Sequence, residues 1–312
     1  MKNSLRESRK IPSKRLSFLL TPIVATSVLA ASPSQAATFS FAQAELTITG
    51  LTAESDFIDS LNEAEIDAIS KNEDAPVEVI NSPAVVNITN TPPEPIEIDT
   101  FATSEAFGEN KDYLGTGNTN AKIVGNFDVA QGEEFAFNFE AFVDLETRID
   151  DSSIESAQAE GEIGFWLFDT TGLSDKELEE LSDNLLTADT NNSFIDQALE
   201  YFTLVGNLNT LGDGDTLTSK KSDKILVTFE DQVVDFDKEA ENEFATAVVE
   251  GSLQRTFNKK SNLTLFATRR TLVKVAAPEP STDLALLISG TLAAIAATYK
   301  RQKNHFTSRN RN

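Results

Sequence analysis

From residue 121 onward the chain repeatedly alternates apolar and polar side chains, and this period of two constrains the fold more than any other feature. The pattern is clearest over residues 133–149, which read EEFAFNFEAFVDLETRI. Successive side chains of an extended strand point to opposite faces, so the alternation predicts a half-buried antiparallel strand. The residues predicted to share its buried face are Phe135, Phe137, Phe139, Ala141 and Val143.

Seven segments of this kind lie within residues 121–275, with turn residues between them. They predict a mainly β fold, an antiparallel β-sandwich of the jelly-roll or immunoglobulin-like type. Most of the 21 phenylalanines are expected in the core between its two sheets. Residues 37–120 are acidic and locally rich in proline, and they predict a separate, partly ordered N-terminal segment with short strands.

One helical insertion interrupts the predicted strands. Ser174 and Glu177 have the spacing of a capping box, in which each side chain bonds the backbone of the other residue. Leu178, Leu181 and Leu185 then fall on one helical face. Residues 193–202 predict a second short helix, and the pair is expected to cover one open end of the sandwich.

The N-terminus has the three parts of a secretory signal peptide over residues 1–36. A basic stretch precedes an uncharged run at residues 16–31, and Ser34, Gln35 and Ala36 supply the small-x-small pattern that signal peptidase cleaves. We predict cleavage after Ala36 or Ala37. The alternative is an uncleaved anchor, but Pro22 and the hydroxyl residues around it weaken the run as a spanning helix.

The C-terminus has three further elements in a fixed order, within residues 276–312. Pro278, Glu279 and Pro280 come first, followed by an uncharged segment at residues 284–299 and a basic tail at residues 300–312. The two prolines disfavour helix around Glu279, so they predict an extended strip just outside a short transmembrane helix. The basic residues directly after the helix retain the tail in the cytoplasm, and they are Lys300, Arg301 and Lys303.

These three elements resemble the PEP-CTERM sorting signal of bacterial surface proteins. The resemblance implies recognition by exosortase, a membrane-embedded enzyme thought to cut near the Pro278-Glu279-Pro280 motif. It also implies export, temporary anchoring by the C-terminal helix, and a final location at the cell surface or in the extracellular matrix. The alternative is an ordinary C-terminal anchor with a proline-bearing linker.

Composition excludes several classes of function. The formal net charge is −24, and because both termini are basic the middle of the chain is more acidic still. Such a body repels nucleic acid, so we expect no nucleic-acid partner. The chain has no cysteine, and its single histidine, His305, lies in the basic tail. Thiol chemistry, histidine general-base catalysis and histidine-bound zinc are therefore excluded from the exported body, and no cofactor is expected.

Two stretches provide weak candidates for a divalent cation such as calcium. Residues 189–200 have the length of an EF-hand loop, with candidate ligands at Asp189, Asn191, Ser193 and Glu200. Phe194 argues against the loop, because it stands where the sharp turn requires glycine. Asp213 and Asp215 are a second candidate pair, although Asp and Gly are also typical of a turn between strands.

These observations predict a non-enzymatic surface protein that acts in adhesion, in matrix organisation or in association with an exopolysaccharide. The alternative is a glycan-active enzyme that uses two carboxylates. Its candidate acids are Glu133, Glu134, Asp144, Glu146, Glu160 and Glu162. Trp166 is either an exposed platform for a sugar ring or a buried residue beneath the helical insertion.

Overall fold

The computed structural model describes residues 37–70, 76–89, 95–110, 112–150, 154–187, 197–210, 214–236 and 241–277. The first six strands are β1 (Ala37–Leu51), β2 (Ser55–Ser70), β3 (Val77–Thr89), β4 (Ile96–Glu109), β5 (Tyr113–Val129) and β6 (Glu134–Arg148). The elements that follow are β7 (Ser156–Asp169), α1 (Asp175–Thr187), β8 (Glu200–Asn209), β9 (Thr216–Lys221), β10 (Ile225–Asp235), β11 (Asn242–Thr256) and β12 (Ser261–Ala277).

The strands form two six-stranded sheets in which all neighbours are antiparallel. The first sheet has the order β10-β11-β6-β1-β4-β3, and the second has the order β2-β5-β12-β7-β8-β9. One apolar cluster draws residues from both sheets, so the sheets pack face to face around a shared core. The predicted mainly β, antiparallel architecture is confirmed. Six strands in each sheet exceed the strand number of an immunoglobulin domain or a jelly roll.

The predicted boundary at residue 120 is wrong. β5 runs through that position, and β1 lies in the middle of the first sheet, between β6 and β4. Residues before 120 therefore provide four complete strands and part of a fifth, and they share the core with the rest of the chain. The sequence obscures this because β2 is exposed over most of its length and lacks a buried, alternating face.

The alternating pattern on β6 and β7 correctly identifies the core. Phe135, Phe137 and Phe139 of β6 are each at most 3% exposed. Phe165 of β7 contacts the Phe137 and Phe139 rings, with centroid distances of 5.2 and 5.0 Å. Their tilted, edge-to-face geometry adds to the free energy gained by burying the rings.

The helix prediction is correct for α1, and the second predicted helix is wrong from Glu200 onward. The backbone nitrogen of Ser174 donates to Glu177 Oε2 over 2.8 Å, and the Glu177 nitrogen donates to Ser174 Oγ over 3.4 Å, as a capping box requires. Leu185 is fully buried against the second sheet. The second predicted helix is not formed at its C-terminal end, because Glu200 begins β8.

Polar groups also lie between the sheets. Ser104 and Thr119 each hydrogen-bond the Thr271 hydroxyl, over 2.8 and 2.5 Å. Arg269 on β12 is 1% exposed, and its guanidinium donates across the core to the Ala44 carbonyl over 3.3 Å. Burial lowers the pKa of Arg269 to about 9, so the side chain is still a cation at neutral pH.

Gly161 on β7 permits close approach of the two sheets. A Cβ atom at this position would stand 2.8 Å from Cγ1 of Val143, which is fully buried on β6. A valine has little rotamer freedom with which to move aside. The sequence pattern places Gly161 on the buried face but gives no measure of this contact.

We predict that Gly161→Ala destabilises the protein by about 1–3 kcal/mol, because the added methyl overpacks the core. Gly214→Ala is the matched control, since its Cβ would meet nothing closer than Asn207 Nδ2 at 3.9 Å. The free energies of unfolding are measured by denaturant titration. Equal stability of the two variants would contradict the close packing of the sheets at Gly161.

Candidate functional site

The outer face of the first sheet carries acidic side chains set among phenylalanine rings. We name it the acid–phenylalanine face. Its half-buried carboxylates are Glu45, Glu105, Glu140, Asp144 and Glu146. Its half-buried rings are Phe41, Phe101, Phe142 and Phe244. These residues come from β1, β4, β6 and β11, so the face exists only when the four strands are paired.

Strand register alternates the two kinds of side chain across the sheet. Phe41 is paired with Glu146 on one side and with Glu105 on the other. Two rows along the same face, Glu45 is paired with Phe142 and with Phe101. Directly opposite side chains on one face of a sheet stand close enough to touch. The rings therefore exclude water from the sides of Glu45, Glu105 and Glu146.

This environment perturbs the acidity of the whole face. Burial is the main cause that raises the pKa of Glu45, Glu105, Glu140, Asp144 and Glu146 above their ordinary values. Like charges contribute second, as for Glu105 beside Glu78 and Glu140 beside Glu250. Thr246 opposes the rise at Asp144 by donating a 2.6 Å hydrogen bond to its carboxylate.

Few positive charges compensate these acids. Within the described parts of the six strands, Arg148 is the one basic residue that points outward from this sheet. Arg269 lies between the two sheets, on the opposite side of the first sheet from Glu45, and its positive charge lowers the pKa of Glu45. Half-buried, uncompensated carboxylates are an electrostatic cost that the fold tolerates. A cation or a set of hydrogen-bond donors placed on the face would relieve that cost.

The predicted calcium ligands are not brought together in the part of the chain that the structure describes. Glu200 is 3% exposed and bonds Ser222 Oγ over 2.6 Å and Arg255 Nη1. It is a structural residue at the start of β8 and does not belong to a helix-flanked loop. Asp215 accepts a hydrogen bond from the Asn209 nitrogen over 2.8 Å, as expected of a turn residue. The other four candidates, Asp189, Asn191, Ser193 and Asp213, lie outside the described residues.

Over the described ranges, no group of three or more acidic or histidine side chains is arranged to hold a metal ion. None of the helices in these ranges is long and apolar enough to cross a membrane. Ala37 is described, whereas Ala36, the Pro278-Glu279-Pro280 motif, the segment at residues 284–299 and the basic tail are not.

The candidate acids for glycan chemistry fall in three places. Asp144 and Glu146 belong to the acid–phenylalanine face, whereas Glu160 and Glu162 point outward from the second sheet. Glu133 and Glu134 lie at the β5–β6 turn, where the Glu133 carboxylate accepts a hydrogen bond from the Ala130 nitrogen over 3.3 Å. The sequence identified one pair on the face but gave no reason to prefer it.

Trp166 is a core residue and is not an exposed platform. It is 4% exposed and stacks on Phe266 with a centroid distance of 5.5 Å, under Leu185 and Leu186 of α1. The second of the two interpretations offered by the sequence is therefore the correct one.

Comparison with known proteins adds no relative: no family model, no curated protein and no solved structure matches the chain.

We predict that the protein becomes more stable as the pH falls from 7 to about 5. Each carboxylate of the acid–phenylalanine face has a folded pKa above its unfolded value, so the folded state binds more protons in this range. Stability is then gained as pH falls through the folded pKa values. The expected rise in Tm, followed by circular dichroism, is on the order of 2–4 °C for each kcal/mol gained.

Neutralising the face with Glu45→Gln, Glu105→Gln, Glu140→Gln, Asp144→Asn and Glu146→Gln together should flatten this dependence. A control that neutralises the exposed Glu63 and Glu65 of β2 should keep it. A wild-type Tm that falls steadily from pH 7 to 5 would contradict the prediction.

Proposed function

We propose that the chain is an exported, non-enzymatic surface or matrix protein, sorted by exosortase, whose acid–phenylalanine face contacts the extracellular matrix. Signal peptidase and exosortase are its processing partners. The C-terminal helix anchors it until cleavage releases it to the surface. The observation that carries the proposal is that the described strands begin at Ala37 and end at Ala277, at the bounds of the two predicted sorting signals.

The bounds of the strands support this division of the chain. β1 begins at Ala37, at the predicted signal-peptidase site, and β12 ends at Ala277, directly before Pro278. Removal of both signals would leave all twelve described strands intact. A processed protein needs this property, because nothing that is cut away can be part of its core.

The two ends of the sandwich also meet at one pole. Tyr113 is paired with Ala277 in the second sheet, and its hydroxyl donates a 2.5 Å hydrogen bond to Thr38 Oγ1 near the start of β1. A chain held in a membrane by both signals would therefore be held from one side. Its sheet faces and its opposite pole would remain free for contact with the matrix.

The acid–phenylalanine face supports an adhesive role. Carboxylates hydrogen-bond sugar hydroxyls, and divalent cations can bridge them to other acidic polymers. The phenyl rings add apolar surface between them. We expect any calcium to be held weakly, near the millimolar affinities of extracellular modules.

An alternative function is hydrolysis of a glycan by Asp144 and Glu146. The observation in its favour is that both acids share one face of β6 and both have raised pKa values, as a catalytic acid requires. Their Cα atoms, two residues apart on a strand, are about 6.7 Å apart. An inverting glycosidase needs its two carboxyl groups roughly 6.5–9.5 Å apart, so this function requires the two side chains to keep or widen the spacing of their Cα atoms.

We predict that the mature C-terminus lies close to Pro278-Glu279-Pro280. The test is mass spectrometry of the intact protein recovered from the surface of an exosortase-bearing host, with an exosortase-deleted host as control. Deletion should leave residues 284–299 attached and the protein in the membrane fraction. A mature chain that extends beyond Tyr299 would refute sorting at the motif.

We predict that the exported protein binds purified host exopolysaccharide without degrading it, and that calcium strengthens the binding. Retention on immobilised polymer is compared between wild type and the variant in which all five carboxylates of the acid–phenylalanine face are neutralised. A Glu63→Gln/Glu65→Gln variant is the control. Only the face variant should lose retention. Turnover of the polymer that disappears in Asp144→Asn would instead establish the enzymatic alternative.

A further inference from the structure

A hydrogen bond at the very start of β1 involves the atom that signal processing would change. The backbone nitrogen of Ala37 donates to Asp150 Oδ2 over 3.0 Å. Asp150 lies two residues after Arg148, the last residue of β6, and β6 pairs with β1 from Arg148 and Phe39 onward. Ala37 itself is 9% exposed, so the bond lies at the edge of the core.

We infer that cleavage between Ala36 and Ala37 converts this bond into an ion pair between a new α-ammonium group and the Asp150 carboxylate. In the precursor the donor is a neutral amide. After cleavage by water, the carboxyl group of the new end leaves with Ala36 and the amine remains on Ala37. An α-amine has an ordinary pKa of about 7.7–8.0 and is protonated at neutral pH. The inference rests on the proposed export.

The surrounding charges favour the ammonium form. Glu109 of β4 is directly opposite Ala37 in the first sheet. Glu155, which precedes β7, is 1% exposed and accepts a hydrogen bond from the Asp150 nitrogen over 2.8 Å. The other described titratable groups at this pole are Asp112, Tyr113, Arg148, Glu241 and Glu243. Among these described groups only Arg148 opposes the charge, so we expect the amine to titrate above its ordinary range.

The same contact distinguishes between the two predicted cleavage sites. Cleavage after Ala37 would remove the nitrogen that bonds Asp150. It would also leave Thr38, which is fully buried and accepts the Tyr113 hydrogen bond, as the first residue of the chain. Cleavage after Ala36 keeps every described contact of β1 and strengthens one of them, since charge-assisted hydrogen bonds are stronger than neutral ones.

The first measurement is N-terminal sequencing of the processed protein recovered from cells that express the full precursor. A chain that begins with Ala37 is the expected result. A chain that begins with Thr38 overturns the ion pair but leaves export intact. A chain that retains residues 1–36 overturns both the ion pair and the proposed export.

The second measurement is the pKa of the α-amine, from the pH dependence of its acylation rate in the processed protein. The expected value is at least one unit above 8, and Asp150→Asn should return it toward 8, because Asn keeps a hydrogen-bond acceptor but not the charge. A wild-type value of 8 or below overturns the inference. This result does not require the variant to fold.

The third measurement is Tm against pH for wild type and Asp150→Asn. The ion pair raises the folded pKa of a base, so its contribution is complete below pH 8 and is lost as the pH rises through the folded pKa. The Tm of wild type should exceed that of Asp150→Asn by a few degrees at pH 7, and this difference should disappear by about pH 10.

Asp128→Asn is the matched control for this titration. Asp128 also bonds a cation, Lys260, over 2.7 Å, but a lysine ordinarily titrates near pH 10.4. Any difference in Tm between Asp128→Asn and wild type should therefore persist to pH 10. If the difference in Tm between Asp150→Asn and wild type also persists to pH 10, the α-amine is not the partner of Asp150.

Discussion

The two sheets depend on one apolar layer that must be built entirely from alternating side chains, since the chain has no cysteine to cross-link it. Phenylalanine rings fill the layer in one region, and small residues such as Gly161 thin it in another. Arg269 and the Thr271 hydroxyl cluster occupy part of the same layer, where Thr271 bonds Ser104 and Arg269 bonds the Ala44 carbonyl across the core. Register is therefore fixed twice, by apolar packing and by polar pairing.

Residues that face away from this layer are free to vary, and on the first sheet they carry carboxylates between phenyl rings. The arrangement does not help the fold, because burial and like charge both raise the pKa of these acids. Fully exposed acids, such as those of β2, add negative charge with a smaller desolvation cost. The proposed contact of this face with the extracellular matrix would offset the cost on the first sheet.

Local patterns in the sequence were sufficient for some elements and insufficient for others. Most of β6 and the first half of β7 alternate between buried and half-buried side chains, and the capping box at Ser174 is a contact between neighbours in sequence, so these elements were predicted correctly. Glu200 was misassigned because residues 193–202 have helical spacing, while pairing with distant strands makes the segment from Glu200 onward part of a sheet. The acid–phenylalanine face was missed because Glu45 meets Phe142 and Phe101 only through strand register, which a single sequence does not encode locally.

The position of β12 has a mechanical consequence. β12 lies between β5 and β7 and is bonded to both along nearly its whole length. In the proposed anchored precursor, a force applied at the C-terminus would reach the sandwich through Ala277, and its component along β12 would pull on that strand. Antiparallel ladder bonds are perpendicular to that direction, so they would be loaded in shear and would have to rupture together. In that proposed precursor, β12 would resist extension for as long as the C-terminus remains uncut.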